Sequence, residues 1–405
     1  MDSESAAAPV SGRALDQGRQ EKARAYARIR RRLLLVDLAL GATYGVVLLV
    51  GGLAAALSEA VSTFSPWMQV AAAFAVLSSG YAILMLPLAR YRGFVLPHRY
   101  GLSTQTQGAW LRDRLKAGVL ALLLGMTVVE VIYLLLRAAP DVWWLWAGVF
   151  LLFYTAVLTN LSPILIIPLF YALTPVPDRA LEERLTELAK RVGTRVRGVF
   201  TIDLSRRTTA ANAALVGLAN TRRIVLGDTL YQNYTPDEIE TILAHELGHH
   251  VHRDIAKGLL AQSALTLLGL YAVHLALSWG ASRLGLEGPA DVAGMPLLGL
   301  LLGGFSLVTT PLVNGYSRSR ERAADRFALE VTSKPRAFIS AMTKLANQNL
   351  ADAEPEPWVE WLLYSHPAIA KRIAMGQTYL IGAGERSAPA EREAERAPVE
   401  PTEDG

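Results

Sequence analysis

His245 and His249 stand four residues apart, with Glu246 directly after the first, in the pattern H-E-x-x-H. On a helix, positions four apart share a face. The two imidazoles can then grip one metal ion while Glu246 serves beside it as base for an activated water. This is the arrangement of zinc hydrolases, most often metallopeptidases. The residues just before it read as a helix start: Thr235 as N-cap, Pro236 in the first turn and Glu238 completing a capping box. The competing reading is a surface helix that carries unrelated histidines.

Two histidines leave zinc one protein ligand short of the usual catalytic set of three plus water. The 405 residues include no cysteine, so disulfides, thiolate ligands and a cysteine nucleophile are excluded. The third ligand must be His, Asp or Glu. Glu321 and Asp325 lie four apart in Ser319-Arg320-Glu321-Arg322-Ala323-Ala324-Asp325. Glu321 is the expected third ligand, and Asp325 is then placed to hydrogen-bond the far nitrogen of a ligand histidine, fixing its tautomer. A charged helix with Glu–Arg pairs on a solvated face would give the same spacing. His366, in Tyr364-Ser365-His366-Pro367, is followed by Lys371-Arg372. A histidine or arginine near zinc can donate to a developing oxyanion, although a lone histidine before proline is more often a loop residue. His250 and His252 point elsewhere around the helix and are read as non-ligands; His98 and His274 offer no spacing argument.

These residues must be held by a largely apolar chain. It is 52% hydrophobic and 19% charged, with a mean hydropathy of +0.27, the balance of a polytopic membrane protein. Nothing in the first 32 residues reads as a cleavable signal. Apolar stretches near 33–57, 67–89, 117–136, 143–172, 257–280 and 295–315 are each long enough to span. The fourth is interrupted by Ser162-Pro163 and Pro168, which predict a kink, and Trp143, Trp144 and Trp146 read as an interfacial anchor. Arginines before the first span (Arg24 to Arg32) and in the 90–116 loop, against almost none in 58–66 and 281–294, place the N-terminus, residues 173–256 and everything after 316 in the cytoplasm. The net charge of +4 is too small to argue for nucleic acid, which is not an expected partner.

Within 173–256, Leu181 to Val192 has helical periodicity. Gly198 to Ile202 and Arg223 to Leu226 read as strands, with Ala213 to Leu218 as a third and Asn220-Thr221 at a turn. A small sheet with a free edge can take an extended peptide, or merely prop the metal helix. Asp37 and Glu130 lie in apolar runs, where ionisable groups usually face a bundle interior or a cavity. The first twenty residues and Glu385 to Gly405 are expected to be disordered.

Taken together, the H-E-x-x-H run, the 319–325 run, Ser365-His366-Pro367 through Lys371-Arg372-Ile373, Asn212-Ala213 ahead of Arg223 to Asp228, and Ser103-Thr104-Gln105-Thr106 before Trp110-Leu111 resemble the type I CAAX prenyl protease family of integral-membrane zinc metallopeptidases. The likeness covers roughly residues 100–380. It implies a helical bundle around an intramembrane chamber, with one zinc ion per chain at the cytosolic end. Matched residue by residue, it implies His245, His249 and Glu321 as zinc ligands, Glu246 as the catalytic glutamate and Asp325 as the aspartate behind a ligand. It further implies His366 and Arg372 at the substrate or transition state, and Asn212 with Ala213 on the substrate-binding edge. Eukaryotic members cut the last three residues from prenylated C-terminal Cys-a-a-X peptides; clearance of misfolded or damaged membrane proteins is the alternative role. They are usually described with seven spans, against six here, and the first hundred residues match least well.

The expected fold is therefore mainly α, a polytopic helical bundle carrying a cytosolic zinc-metallopeptidase α+β domain with a small β-sheet. The expected segments are an N-terminal segment (1–30), a transmembrane bundle (31–172), a peptidase region with the motif helix (173–256), a transmembrane hairpin (257–315), a second peptidase region with the third ligand (316–383) and a tail (384–405). The expected partners are a peptide or protein substrate, prenylated in the first role, and the lipid bilayer. A bacterial member would sit in the inner membrane with its site facing the cytoplasm.

Overall fold

The computed structural model of this chain describes residues 14–217 and 222–394. Fifteen helices and four strands follow in order: α1 (Gln17–Val50), α2 (Leu53–Ala60), α3 (Pro66–Arg90), α4 (Leu96–Arg99), α5 (Gln107–Ala138), α6 (Trp143–Leu161), α7 (Ile167–Phe170), β1 (Leu173–Pro175), α8 (Arg179–Arg191), β2 (Val199–Ile202), β3 (Ala213–Val216), β4 (Arg223–Gly227), α9 (Asp228–Asn233), α10 (Pro236–Val251), α11 (Asp254–Arg283), α12 (Met295–Thr332), α13 (Pro335–Gln348), α14 (Pro357–Leu363) and α15 (Ile369–Ala394). Six helical runs among the described residues are long and apolar enough to cross a membrane, built on α1, α3, α5, α6, α11 and α12.

Each expected span has a helix, but three differ in extent. The first apolar run is broken at Gly51-Gly52, where Gly52 takes a left-handed conformation (φ 73°) that only glycine adopts at little cost, and α2 starts anew. The fourth passes through a π turn at Ser162–Ile166, where Pro163 removes a helical donor. The sixth does not stop at the membrane edge: α12 is one 38-residue helix, and it carries Glu321 and Asp325. The segment boundary drawn at 316 therefore falls inside a continuous helix. At the C-terminus the backbone stays helical to Ala394, beyond the point where composition predicts disorder, and the chain is already helical at Gln17. The remainder of both expected disordered ends, residues 1–13 and 395–405, lies outside the described residues.

The sheet has the order β1-β2-β4-β3. β2 and β4 run parallel, while β1 with β2 and β3 with β4 are antiparallel, so β1 and β3 are the edges. β1 was not read from the sequence, being three residues long and ending in Pro175. β3 ends at Val216; Leu218 and the expected turn at Asn220-Thr221 lie outside the described residues.

Two large apolar cores result among the described residues, with a small third around Leu48, Ala54 and Ala293. One lies in the bundle around Trp143, Tyr133, Leu270 and Leu298. The other packs the sheet against α8, α10, α12 and α13 through Leu188, Leu226, Leu243, Leu247 and Phe338. Leu35, Ile83, Leu123, Phe153, Leu260, Val308 and Leu312 stay exposed on the span helices, as lipid-facing side chains must.

Candidate metal centre

The motif helix α10 begins as its sequence dictates. Thr235 Oγ1 accepts from Glu238 N (3.3 Å), and Thr235 N donates to Glu238 Oε2 (2.8 Å), closing the capping box. Glu238 also accepts from Ser340 (2.6 Å) and Lys344 (2.8 Å), and Glu240 accepts from Arg184 (2.7 Å) and Lys334 (2.6 Å). These charge-assisted bonds fix α10 against α8 and α13. At its far end Arg253, in the left-handed region (φ 56°), turns the chain into α11 and sets Asp254 beside the motif.

On this frame the side chains of His245, His249 and Glu321 come together, each offering one ligand atom within 4.8 Å of the others. His249 Nε2 lies 3.3 Å from His245 Nε2, and Glu321 places Oε2 3.2 Å from His245 Nε2 and Oε1 3.4 Å from His249 Nε2. Both far nitrogens are already engaged: His245 Nδ1 with Asp325 (2.8 Å) and His249 Nδ1 with Asp254 (3.0 Å). A carboxylate can only accept, so each neutral ring carries its proton on Nδ1 and turns the Nε2 lone pair toward the cluster. Glu321 Oε2 is buried without a hydrogen bond. Three lone-pair donors facing one another with no hydrogen between them repel unless a cation lies among them. The donor set of two imidazoles and one carboxylate, with a carboxylate behind each imidazole, fits zinc.

Burial opposes charging His245, but its contacts with Asp325 and Glu321 outweigh that and hold its pKa up at about 9. His249 is likewise raised, contacts with Glu321 and Asp254 outweighing burial. Burial raises Glu246, against the pull of the two histidines. Glu246 makes no hydrogen bond or ion pair with the described residues and lines a cavity of about 650 Å3 together with His249, Glu321, Leu215 and Gly217. A second cavity of about 350 Å3 shares Gln262, Leu265 and Val313 with the first and extends between α11 and α12 to Phe305 and Leu302.

His366 also reaches the cluster, with Nε2 3.3 Å from Glu321 Oε1 and Nδ1 2.9 Å from Ser365 Oγ. Burial lowers its pKa, so it is neutral near pH 7. Its loop is tied to α12 by Arg318, which donates to the carbonyls of Glu360 (2.9 Å) and Tyr364 (2.6 Å). Arg372 is buried and donates to Asp325 at 2.6 and 2.8 Å, and its Nη2 also lies 3.4 Å from His245 Nδ1. It thus stands behind both Asp325 and His245, at the ring nitrogen that faces away from Glu321. Asn212, just before β3, and Ala213, its first residue, line a cavity of about 450 Å3 that shares Gly217 with the cavity at Glu246, which Leu215 also lines. The segment leading into β3 is clamped by Asn349, which bonds both the N–H (2.8 Å) and the carbonyl (3.1 Å) of Ala211. The Ser103–Thr104 run bridges Thr208 and Arg207 just upstream.

Sequence reasoning missed Asp254 and Arg318. A carboxylate just past the motif helix was a visible signal for the first; nothing local marks the second. His250 lines the cavity without joining the cluster, and His252 packs on Phe327. Asp37 pairs with Arg92 (3.3 Å), whereas Glu130 keeps a buried oxygen with no hydrogen bond among the described residues.

A family model for peptidase family M48 matches residues 175–378, and one for the CAAX prenyl protease N-terminal region, described as five membrane helices, matches residues 3–172. The chain is 29% identical to the uncharacterized metalloprotease YhfN of Bacillus subtilis over 354 residues, 86% of this chain and 83% of that one. It is 31% identical to the CAAX prenyl protease 1 homolog of Arabidopsis thaliana over 298 residues, 71% and 68% of the two chains. The crystal structure of S. mikatae Ste24p superposes with a TM-score of 0.81 at 25% identity, covering 92% of each chain.

Proposed function

This chain belongs to peptidase family M48 and is an integral-membrane metalloprotease, and from that premise we propose that it hydrolyses peptide bonds with one zinc ion held by His245, His249 and Glu321 and with Glu246 as general base. The observation that carries this reading is the convergence of three lone-pair donors whose imidazoles are oriented from behind by Asp325 and Asp254. Bound zinc would polarise the scissile carbonyl and bring the acidity of water to near neutrality.

The remaining steps fall to this chain's own residues. Glu246, with its pKa raised by burial, takes the proton of the attacking water and delivers it to the leaving amine. His366, neutral and accepting from Ser365 at Nδ1, donates its Nε2–H to the developing oxyanion. Arg372 holds Asp325, and Asp325 holds His245 in its ligating tautomer. The substrate lies extended along the free edge of β3, adding a strand beside Leu215. Lipid-modified C-terminal peptides are the substrate class that best suits the site. The cavity at Glu246 is mostly apolar and continues into the bundle, and relatives from plants and yeast carry the name CAAX prenyl protease. The arginine-rich ends of the spans support a site on the cytoplasmic side.

The test uses the purified protein, a farnesylated peptide ending in a Cys-a-a-X tetrapeptide and its unprenylated twin, each with and without chelator. Chelator-sensitive cleavage of the prenylated form is expected. Glu246→Gln should keep its zinc and lose about 10²–10⁴-fold in rate; full turnover by that variant refutes the base. Equal cleavage of both twins and of misfolded membrane proteins would favour a clearance role instead.

A further inference from the structure

Two tryptophans outside the spans stand in the open. Trp358 and Trp361 are 61% and 58% exposed on α14, three positions apart and so on one face of that short helix. The opposite face is fixed inward. Val359 is fully buried, and Glu360 accepts from the Ala368 N–H (3.1 Å) and from Lys371 (2.6 Å). Neither indole lines the cavity at Glu246. An indole joins an apolar body to a single N–H donor, which suits a boundary between wet and apolar surroundings better than either alone.

Two neighbouring helices fix the height of α14 relative to the bilayer. From Met295 to Asn314 α12 rises about 30 Å, one hydrocarbon thickness. Asn314, at that limit, donates to the Leu362 carbonyl (2.7 Å), and Arg318, one turn on, donates to the carbonyls of Glu360 and Tyr364. α1 supplies an independent measure. Its apolar run opens at Leu33, and Arg31, just before it, pairs with Glu356 at the start of α14 (3.2 Å). Both ends of α14 are thus level with the place where a span turns from apolar to charged. That layer, of headgroups and upper acyl chains, is where tryptophan is enriched in membrane proteins.

We propose that α14 is an interfacial anchor: Trp358 and Trp361 lie in the headgroup layer of the bilayer at the metal-cluster end of the bundle, and the membrane thereby seats the loop that carries His366. A stretch whose sequence reads as part of a water-exposed peptidase region is, by this placement, partly in lipid. Tyr364, Ser365 and His366 follow directly on α14, and His366 Nε2 sits 3.3 Å from Glu321. The link to His366 rests on the peptidase reading above; the anchor itself does not. A second copy of the chain, or another protein, is the competing cover for the two indoles. The height of α14 favours lipid, because a protein interface has no need to fall at the ends of two spans.

The chain has no cysteine, so a nitroxide on Trp358→Cys or Trp361→Cys reports alone from the full-length protein in nanodiscs. Its collisions with molecular oxygen, which concentrates in lipid, are compared with those of a water-soluble nickel chelate. Val308→Cys on the exposed face of α12 is the lipid reference, and Glu187→Cys on α8 is the aqueous one. The expected oxygen-to-nickel ratio at both tryptophan positions lies between the two references. A ratio equal to that of Glu187→Cys overturns the anchor. Few collisions with either reagent assign the face to a protein partner and overturn it too. Activity tests the seat of His366. Trp358→Ser combined with Trp361→Ser should lower kcat on the prenylated peptide about tenfold or more, since a displacement of about 1 Å at a reacting group can cost about 10²-fold. Zinc content and KM should hold, and tyrosine at both positions should restore kcat. An unchanged kcat in the serine pair overturns the link to His366, and so does a loss that the tyrosine pair shares. If no peptide is cut in a chelator-sensitive way, the peptidase reading fails, while the collision ratios still decide on the anchor.

Discussion

Which nitrogen of each histidine carries the proton decides what the cluster can hold. Asp325 and Asp254 claim the Nδ1 protons, and that leaves both Nε2 lone pairs facing Glu321. Asp254→Asn weakens the acceptor behind His249 and is expected to lower zinc affinity about 10–100-fold, read by competition against a chromophoric chelator; unchanged affinity removes Asp254 from the site. Asp325 and Glu321 hold the His245 pKa up at about 9 against burial, so a proton competes with the cation for this ring. Such a group holds its proton below its folded pKa, so competition with zinc is strongest at low pH and fades as pH rises through about 9. Calorimetry near neutral pH in two buffers of different ionisation enthalpy should show about one proton or more released per zinc, the number falling toward pH 9. Binding with no proton release at neutral pH contradicts the charged His245.

At the scale of elements, the site exists because α10 and α12 approach closely. A Cβ on Gly248 would meet Phe327 Cδ1 at 3.1 Å and Ala324 Cα at 3.2 Å. Gly248→Leu would wedge the two helices apart, separating His249 from Glu321, at a cost of about 1–3 kcal/mol. Loss of zinc with a lowered melting temperature is expected. Gly299→Ala, where nothing lies within 4 Å, is the control that should retain both. Normal zinc content in Gly248→Leu would show that the approach of the helices is not limiting. The helices differ in how readable they were. α10 announces itself through Thr235, Pro236 and Glu238, because capping is local chemistry. The continuity of α12 was hidden, because its sequence switches from apolar to charged near Ser317 while its backbone has no reason to stop.

For the whole molecule, the arrangement of spans determines which side of the membrane the metal cluster occupies. α11 leaves from beside the cluster and α12 returns to it, so the turn between them lies at the opposite end. The chain has no cysteine, so single introduced thiols report sidedness without background. Exposed Glu287→Cys, in that turn, should react with an impermeant maleimide in intact cells. Exposed Glu187→Cys on α8 should react only after permeabilisation. The reverse pattern would turn the site outward.

The His-His-Glu donor cluster, the helix that carries its two histidines and the six apolar spans were legible in the sequence. Residue type, spacing on a helix and capping are all set by neighbours within a few positions. Only the folded chain shows that edge strand β3 shares a cavity with Glu246, that Asp254 stands behind His249, that Arg372 stands behind Asp325 and His245, and that His366 reaches Glu321. Each of these depends on contacts between residues far apart in the chain, or across a sharp turn, and no local pattern encodes which distant side chain will be there.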